Sequence, residues 1–400
     1  MTAEIKLLSP AGDRERLEMA LLYGADAVYL AGRAYGMRAA SANFSDEALE
    51  AAVRLVHAKG KKLYVTCNTL PVEGELEALP AYLGFLKEIG VDALIVADLG
   101  VLRLARRFAP GVALHVSTQL GVINSATATE LYELGADTVV LARETRLEDI
   151  RRIRANTPPA LRLEAFVHGA MCVSFSGRCL LSNYLTGRDA NRGQCAQPCR
   201  WKYHLVEEKR PGQFFEISED GGTYIMNSRD LCMIEHLPAL IDAGISSLKI
   251  EGRMKSSYYA AVVTNAYRGA LDDALAGRPL DARWVSETRM LSHRPYGTGF
   301  YFGEPGQHFS EASYASEAEV MAVVEDCDEA GNALLTQRNK FCRGDTLELL
   351  LPGRAPLPFA AEPLLDAEGA PIEDTRRATM TFRLRLPERA PRGAIVRKRL

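Results

Sequence analysis

One short pattern occurs four times in the first 275 residues: a glycine followed by a run of mostly apolar residues, as in GADAVYL at residues 24–30. The other copies are GVDALIV at 90–96, GADTVVL at 135–141 and GISSLKI at 244–250. Each glycine ends a helical pattern, and each apolar run is typical of a strand that is buried on both faces. The sequence therefore predicts helices that alternate with buried parallel strands.

Four further strand candidates lie between these copies and bring the number of predicted strands to eight. They are Ile5–Leu8, Lys62–Thr66, Ala113–Ser117 and Leu161–Val167. Helical patterns occupy Ser45–Lys59, Leu79–Ile89, Ser125–Leu134, Arg146–Ala155 and Ser256–Leu275. This alternation has the length and rhythm of a (β/α)8 TIM-like barrel. A doubly wound dinucleotide fold is disfavoured, because no Gly-x-Gly-x-x-Gly follows the first strand.

The character of the chain changes after about residue 276, where proline becomes frequent. Short apolar or alternating runs that indicate strands lie at Ala318–Val324, Ala333–Thr336, Asp345–Leu351 and Thr379–Leu386. We expect an α/β barrel domain at residues 1–280 and a small β-barrel domain at 281–400. The boundary is expected near residues 280–300.

Composition is that of an ordinary globular protein, with 47% hydrophobic and 25% charged residues. The start, MTAEIKLLSPAG, lacks the charged and apolar regions of a signal peptide, and no apolar run reaches the roughly 18 residues of a membrane span. We expect no membrane association and a cytoplasmic location. In that reducing compartment the eight cysteines are expected to be ligands or buried thiols.

Positive charge is concentrated at the end of the chain. Residues 371–400 carry nine Lys and Arg against three acids, a net +6, so the formal total of −3 leaves −9 on the preceding residues. The run from Thr381 to Leu386 alternates arginine with apolar residues and indicates a half-exposed strand with a cationic face. That face is either a phosphate-contacting surface for RNA or a solvated strand face.

The stretch Glu164–Arg200 holds four cysteines in a C-x6-C-x15-C-x3-C spacing among Gly, Ser, Asn and Arg. They are Cys172, Cys179, Cys195 and Cys199. This composition is typical of a ligand loop. The loop belongs to an insertion at about residues 169–235 that leaves the end of the seventh strand, so it is expected over the barrel mouth.

Three interpretations of these thiols remain open: an iron–sulfur cluster, a zinc site, and unliganded or disulfide-forming cysteines. Zinc sites usually use two tight C-x2-4-C pairs, and only Cys195 and Cys199 form one, so the spacing favours a cluster. Cys232 is a reserve ligand, because the helical pattern Leu231–Leu237 makes it more typical of a buried core. Cys67, Cys327 and Cys342 lie in or beside strand patterns and are expected to be inert.

Polar residues follow the predicted strand ends, where barrel enzymes carry their chemistry. They are Asn68, Thr69, Asp98, Gln119, Arg143, Glu144, His168, Glu251 and Arg253. His168 is interpreted as a proton donor near the site or as a hydrogen-bonding residue that positions the loop. His115 lies within a strand, where a structural role is favoured.

Several motifs together resemble those of peptidase family U32, the collagenase-like proteases. The matching residues are Leu8–Gly12, Gly24–Tyr29, Glu164–Cys172, Gly177–Ser182, Met226–Leu231, Ser247–Arg253 and Tyr296–Phe300. The resemblance implies a 4Fe-4S cluster on such cysteines. It also implies oxygen-independent hydroxylation of RNA bases or of a quinone precursor. The length and two-domain plan are most similar to the branch that converts the wobble uridine of tRNA to 5-hydroxyuridine and depends on prephenate.

The resemblance also suggests site residues. Cys172, Cys179, Cys195 and Cys199 are the expected metal ligands, and Glu164, His168, Glu251 and Arg253 are the catalytic candidates. Prephenate carries two carboxylates, which suits a barrel mouth with cationic side chains. The residues expected to bind it are Arg33, Arg38, Lys249 and Lys255, with Arg253 nearby.

Other functions remain as alternatives. They are hydroxylation of an rRNA base or of a quinone precursor, a non-catalytic RNA-binding or assembly role with a structural metal site, and proteolysis. The residues give proteolysis little support: there is no Gly-x-Ser-x-Gly, no His-Glu-x-x-His, and no isolated cysteine with a partner histidine.

Overall fold

The computed structural model describes residues 5–36, 43–172, 174–201, 205–206, 214–215, 228–305 and 316–400. The helices are α1 (Arg14–Leu22), α2 (Asp46–Ala58), α3 (Leu79–Glu88), α4 (Leu99–Phe108), α5 (Ser125–Glu133), α6 (Leu147–Ala155), α7 (Leu181–Thr186), α8 (Leu237–Asp242), α9 (Ser257–Leu275) and α10 (Ala282–Arg289). None of the described helices is long and apolar enough to cross a bilayer.

The strands of the first sheet are β1 (Lys6–Pro10), β2 (Ala27–Leu30), β3 (Lys62–Cys67), β4 (Ala93–Val96), β5 (Ala113–Val116), β6 (Thr138–Val140), β7 (Arg162–Ala170), β10 (Asp230–Cys232), β11 (Ser247–Ile250) and β12 (Tyr296–Gly297). Between them, β8 (Leu205–Val206) and β9 (Phe214–Phe215) form a separate two-stranded sheet. The later strands are β13 (Ala318–Cys327), β14 (Asn332–Gln337), β15 (Thr346–Leu350), β16 (Leu357–Ala360), β17 (Leu364–Asp366), β18 (Thr381–Arg385) and β19 (Ile395–Arg399).

Eight parallel strands form a closed barrel, which confirms the predicted fold class. Strands β1 to β7 pair in chain order, and β11 pairs with both β1 and β7. The four repeated patterns supply β2, β4, β6 and β11. Gly24 and Gly135, with φ of 104° and 103°, are in the left-handed region that ends the preceding helices. The glycine thus stops each helix, and the apolar run after it enters the barrel.

The segment around Cys232 departs from the sequence prediction. A helical pattern was expected at Leu231–Leu237, but Asp230–Cys232 form strand β10, antiparallel to β7. The backbone N–H of Met233 donates to the carbonyl of Val167 at 2.9 Å. The buried carboxylate of Asp230 also accepts three hydrogen bonds from Arg294. These contacts to distant parts of the chain outweigh the local helical preference.

The described residues fall into two compact units. One lies within Met1–Leu17, Asp26–Lys255 and Arg294–Ser313, and contains the eight barrel strands. The other lies within Glu18–Ala25, Ser256–His293 and Tyr314–Leu400. The units interleave along the sequence, so α9 and α10 group with the C-terminal strands.

The C-terminal strands form one antiparallel sheet in the order β16-β15-β19-β13-β14-β18-β17. The four strands predicted from sequence correspond to β13, β14, β15 and β18. The small β-rich C-terminal domain is confirmed, and its sheet has the form of a half-barrel. Its core contains Phe341 and Phe382, whose rings meet edge to face at 5.5 Å.

The basic terminal segment is only partly a solvent-facing cationic surface. In β18 the side chains of Arg383 and Arg385 are exposed and alternate with buried Phe382 and Leu384, as predicted. Six of the nine cations instead form ion pairs within the same unit. These pairs are Arg376–Asp374, Arg389–Glu329, Arg392–Glu325, Arg397–Glu287, Lys398–Asp345 and Arg399–Glu348.

Arg397 is fully buried, so this cation of the basic terminal segment cannot contact a phosphate. Its guanidinium donates two hydrogen bonds of 2.7 Å to Glu287 and one of 2.8 Å to Glu348. Burial would lower the pKa of Arg397, but the hydrogen bonds and charge of Glu287 raise it above its ordinary value. Arg397 therefore joins β19 to β15 and α10.

Arg397→Gln is expected to destabilise the C-terminal unit by about 3–5 kcal/mol, because it leaves the Glu287 carboxylate buried without its partner. The matched control is Arg385→Gln in β18, which is exposed and is expected to change stability by less than about 0.5 kcal/mol. Chemical denaturation of both variants measures the difference. A cost for Arg397→Gln as small as that of the control would show that the buried pair does not stabilise this unit.

Candidate active site at the barrel mouth

A cavity of about 160 Å³ opens at the carboxyl ends of the barrel strands. Its floor and walls come from strands β2, β3, β4, β7 and β11 and from the loops that follow β3, β5, β6, β7 and β11. Most of the lining is apolar or aromatic, with Tyr29 and Phe166 among the ring residues. Lys249, Glu251, Arg253 and Arg143 bring charge to the same space. This is the place and the composition typical of a TIM-barrel active site.

All four predicted metal-ligand cysteines line this cavity: Cys172, Cys179, Cys195 and Cys199. The loop that carries the first two is fixed to the barrel by Glu144. Its carboxylate accepts hydrogen bonds from the backbone N–H and the hydroxyl of Ser176, each at 3.0 Å. Gly177 lies so close to Gln119 that an added Cβ would be 2.4 Å from the Gln119 carbonyl oxygen. The loop thus rests on the barrel rim.

A second contact holds the part of the loop that contains Cys195 and Cys199. Arg192 donates to the Leu70 carbonyl at 2.9 Å and forms an ion pair with Glu75, at 2.5 Å between Nη2 and Oε1. The hydrogen bond from Arg192 lowers the pKa of the Glu75 carboxyl. Both partners lie in the segment after β3, the strand that leads to Asn68 on the cavity wall. The cysteine loop is therefore anchored on two sides of the mouth.

Lys249 enters the cavity from β11 and is held from below by Glu164 of β7. The Lys249 ammonium lies 2.8 Å from Oε1 of Glu164, and the Ser247 hydroxyl donates to Oε2 at 2.8 Å. Both members of the ion pair are buried. Burial would raise the pKa of Glu164, but the charge of Lys249 holds it below its usual range. Glu164 does not line the cavity, so it acts on the site by positioning Lys249.

The ammonium of Lys249 also lies over two aromatic rings, 4.7 Å from the centroid of Tyr29 and 5.5 Å from that of Phe166. Arg143 stacks on the same Phe166 ring at 4.0 Å. Both cations are thus packed against π faces, which attract a positive charge electrostatically.

Glu251 is the carboxylate among the described residues that line the cavity. One of its oxygens lies 3.3 Å from the Tyr29 hydroxyl, which makes its shorter hydrogen bond, at 2.9 Å, to the Ile250 carbonyl, and 3.8 Å from Arg143 Nη2. Gly169 allows the β7 backbone to pass close by, since an added Cβ would be 2.5 Å from the Glu251 carbonyl oxygen. Glu251 is therefore placed as a proton acceptor that faces the cavity.

Arg253 follows Glu251 and is buried although it carries charge. One of its guanidinium nitrogens donates to the Thr66 hydroxyl at 3.3 Å. Gly12 packs against its backbone, since a Cβ there would be 2.2 Å from the Arg253 carbonyl oxygen. Arg253 and Lys249 thus offer two buried cations to an anionic ligand in the cavity.

The remaining predicted residues lie elsewhere. His168 is buried on β7 with its ring 5.3 Å from that of Tyr296, and it does not line the cavity. Arg33 is exposed, and Lys255, whose carbonyl accepts a hydrogen bond from Arg16, is outside the cavity wall. Arg38 lies outside the described residues. Of the residues expected to bind prephenate, the cavity therefore brings in Lys249.

Thiols are soft metal ligands, but the described thiols of the cavity are not arranged around one metal position. In the described part of the chain, no three His, Cys, Asp or Glu side chains lie close enough together to hold a single metal ion. Cys232, half-buried in β10, lies opposite His168 in the strand register. The helix that was expected around Cys232 is absent, but Cys232 does not line the cavity, whereas Cys199 does.

Comparison with known families agrees with this architecture. The model of peptidase family U32 matches residues 12–311, and the model of the U32 C-terminal domain matches residues 316–397. This chain belongs to peptidase family U32. The first match covers the barrel strands after β1, the cysteine loop and the cavity, and the second covers the half-barrel.

Several relatives of this chain carry names that refer to RNA. A Bacillus subtilis (strain 168) protein named tRNA hydroxylation protein P1 is 36% identical over 405 residues, which span all of this chain and 96% of that protein. The Escherichia coli (strain K12) tRNA hydroxylation protein P is 36% identical over 91% of this chain and 90% of its own. The 23S rRNA 5-hydroxycytidine synthase of the same organism is 39% identical over 74% of this chain and 45% of its own.

Some residues of this U32 cavity were missed because they lie inside strands. Three of them are in strands β2, β3 and β7: Tyr29, Thr66 and Phe166. The predicted site residues were instead polar residues beyond the strand ends. Strand alternation could have found them, because side chains two residues apart point to the same side. Phe166 is two residues from Glu164, and both point into the barrel. Arg143 was noted as a polar residue at a strand end but was not selected as a site residue.

Beneath the cavity, the U32 barrel contains a buried histidine with an unusual environment. His115 of β5 is paired in register with Thr138 of β6, and its ring meets that of Tyr64 at 4.7 Å. The His115 Nδ1 and the Thr138 hydroxyl have no hydrogen-bond partner in the described protein. Burial lowers the pKa of His115 to about 4, and the positive charge of Lys249 adds to this effect. The histidine is therefore neutral in the folded barrel, as its expected structural role requires.

This pKa predicts acid sensitivity. An unfolded chain binds a proton at His115 below about pH 6.5, whereas the folded chain does so only below about pH 4. Between these two values, the free energy of unfolding therefore decreases by about 1.4 kcal/mol for each pH unit of acidification. His115→Gln, which cannot titrate, is expected to lose about 2 kcal/mol less than the wild type between about pH 7 and pH 5. Urea denaturation at both pH values measures this. Equal pH dependence of the two proteins would contradict the buried neutral histidine.

Proposed function

We propose that this protein is an iron–sulfur-dependent enzyme that hydroxylates the wobble uridine of tRNA to 5-hydroxyuridine, with prephenate as co-substrate. The observation that carries the proposal is the barrel-mouth cavity, where four thiols face Lys249, Glu251 and Arg253 across a small space. The names of relatives at 36% identity over nearly the full chain support an RNA base as the substrate.

The donor set fits an iron–sulfur cluster in its chemistry. Thiolates are the usual ligands of such clusters, and Cys172, Cys179 and Cys195 are proposed as three of them. Cys199 is proposed as the fourth because it lines the same cavity, with Cys232 as its competitor. When bound, the cluster would supply one-electron chemistry next to the substrate. The nearby cations Lys249 and Arg253 would offset the negative charge of four thiolates.

The remaining residues of the cavity suit a planar base and a dicarboxylate. A base must leave its stack to enter so small a space, and aromatic faces such as Tyr29 and Phe166 are typical of pockets that hold an extruded base. Hydroxylation replaces the C5–H bond of uridine by a C5–OH bond, which is a two-electron oxidation; it would balance if the co-substrate gave up its hydroxyl group to C5, was reduced by two electrons and received the proton that leaves C5. Glu251 is proposed to accept that proton, and Arg253 with Lys249 to bind the carboxylates of prephenate.

One alternative has an observation in its favour. The relative named as an rRNA 5-hydroxycytidine synthase shares 39% identity with 74% of this chain, so a pyrimidine of rRNA is the second candidate substrate. Proteolysis is disfavoured by the cavity itself. The described residues that line it include four thiols and no histidine, so it does not offer the Cys–His pair that activates a thiol nucleophile.

Mass spectrometry of tRNA nucleosides from a deletion strain tests the proposal. We expect 5-hydroxyuridine and its derivatives to disappear and to return when the wild-type chain is supplied. Cys172→Ser and Cys179→Ser are expected to fail to restore them and to lower bound iron, because a hydroxyl is a poor ligand for a soft iron–sulfur centre. Loss of an rRNA modification with intact tRNA would instead support the second candidate.

The fourth ligand is decided by a matched pair of variants in the same assay. Cys199→Ser is expected to lose iron and activity, and Cys232→Ser is expected to keep most of both. The reverse result would assign the fourth position to Cys232. Cys327→Ser, in the C-terminal sheet, is the control that changes a thiol far along the chain and should leave iron content unchanged.

A further inference from the structure

Helix α4 carries a cationic surface that the cavity does not use. Arg103, Arg106 and Arg107 are all exposed and lie at spacings that place them on one side of the helix. None of them forms an ion pair among the described residues. The dipole of α4 favours cations in its last turn, which accounts for Arg106 and Arg107 but not for Arg103.

Two of these arginines form a ridge between two grooves. Gly100, Arg103 and Arg107 border both grooves, and each groove has a volume of about 620–630 Å³. One groove is closed on its far side by Leu134, and the other by Pro71 and Leu76. Arg106 has a different role: it donates to the Leu134 carbonyl at 2.9 Å and packs against Gly135. Arg103 and Arg107 are thus the cations available to a ligand.

The cations of the C-terminal segment offer a contrast. Six of the nine there are neutralised by carboxylates of their own unit, including the buried Arg397. A surface arginine without a carboxylate can make a bidentate hydrogen-bonded contact to a phosphate without first breaking an ion pair. The charge of the α4 ridge is therefore directly available to a polyanion.

The ridge is continuous with the rim of the cavity. The segment after β3 contributes Asn68 to the cavity wall and Pro71 to the groove beside the ridge. Its Leu70 carbonyl accepts the hydrogen bond from Arg192 of the cysteine loop. Helix α4 also begins beyond the carboxyl end of β4, at the barrel face where the cavity opens, and is about 15 Å long. A chain that reaches into the cavity would pass this segment and meet the ridge.

We propose that the ridge formed by Arg103 and Arg107 of α4, with the grooves on either side, binds the phosphate backbone of the substrate RNA outside the barrel mouth. The inference rests on the proposed function and locates its docking surface. The cavity is enclosed by the barrel strands and the cysteine loop, so most of an RNA whose base enters it must lie outside. Phosphate contacts of this kind orient an RNA and supply affinity, while base choice belongs to the cavity.

The test uses full-length protein purified anaerobically and unmodified tRNA from a deletion strain. In the Arg103→Gln/Arg107→Gln variant, the slope of log Kobs against log salt is expected to become less steep by about 1.4 to 1.8, because two phosphate contacts are lost. The KM for tRNA should rise while kcat stays the same, since the lost contacts are equal in ground and transition states. Iron content should not change.

Two control variants define the effect. Arg103→Lys/Arg107→Lys keeps the charge and is expected to retain the wild-type salt slope. Arg389→Gln/Arg392→Gln removes two ion-paired arginines from the C-terminal unit and is also expected to retain it. If the Gln variant of the ridge loses its thermal transition, each single substitution is measured instead and is expected to reduce the slope by about 0.7 to 0.9.

The possible failures are distinguishable. If the wild-type chain does not bind tRNA at all, the proposed function is wrong. If the wild type binds tRNA and the Gln variant of the ridge binds with the same affinity and salt slope, only the docking surface is wrong. The ridge would then serve another polyanion, such as an acidic protein segment.

Discussion

The buried contact between Lys249 and Glu164 joins the last two strands of the barrel, β7 and β11. Glu164 belongs to β7 and Lys249 to β11, and their 2.8 Å ion pair lies across two neighbouring barrel strands that are separated in sequence by the connection containing the cysteine loop. β7 continues into the cysteine loop, and β11 continues to Glu251 and Arg253. The distance between the thiols and the polar side of the cavity therefore depends on this seam.

A buried ion pair is a strict positional constraint. Removing either partner leaves a charge without compensation in the barrel, while the pair itself contributes little net stability compared with well-packed apolar residues. The role of such a pair is therefore to fix the position of its side chains and not to add stability. Here it holds an ammonium over two aromatic rings and beneath the cavity, where a free lysine side chain would adopt many rotamers.

The sequence predicted the barrel well because its signals are local. Each glycine stop and the apolar run after it lie within seven residues, and all four copies form barrel strands. The failures have long-range causes. Cys232 lies in a strand because β10 pairs with β7 some 60 residues earlier, and Arg397 is buried because Glu287, 110 residues away, meets it. No local pattern contains those partners.

The site was predictable in part for the same reason. The motif that ends β11 identified Lys249, Glu251 and Arg253, and the spacing of the cysteines identified the loop that faces them. The motifs did not distinguish the roles of Glu164 and His168, but their positions in the barrel do. Glu164 lies beneath the cavity, and His168 is buried outside its lining. The aromatic residues inside the barrel became recognisable only from the direction of their side chains.

The proposed cluster and the proposed RNA base occupy the same barrel mouth. Electron paramagnetic resonance of the anaerobically purified, chemically reduced protein tests this most directly, with spectra recorded before and after addition of saturating unmodified tRNA. We expect an iron–sulfur signal whose g values or line shape change when the RNA binds, because the base enters the cavity that the cysteines line. A signal that stays the same while the RNA is bound would contradict the shared site.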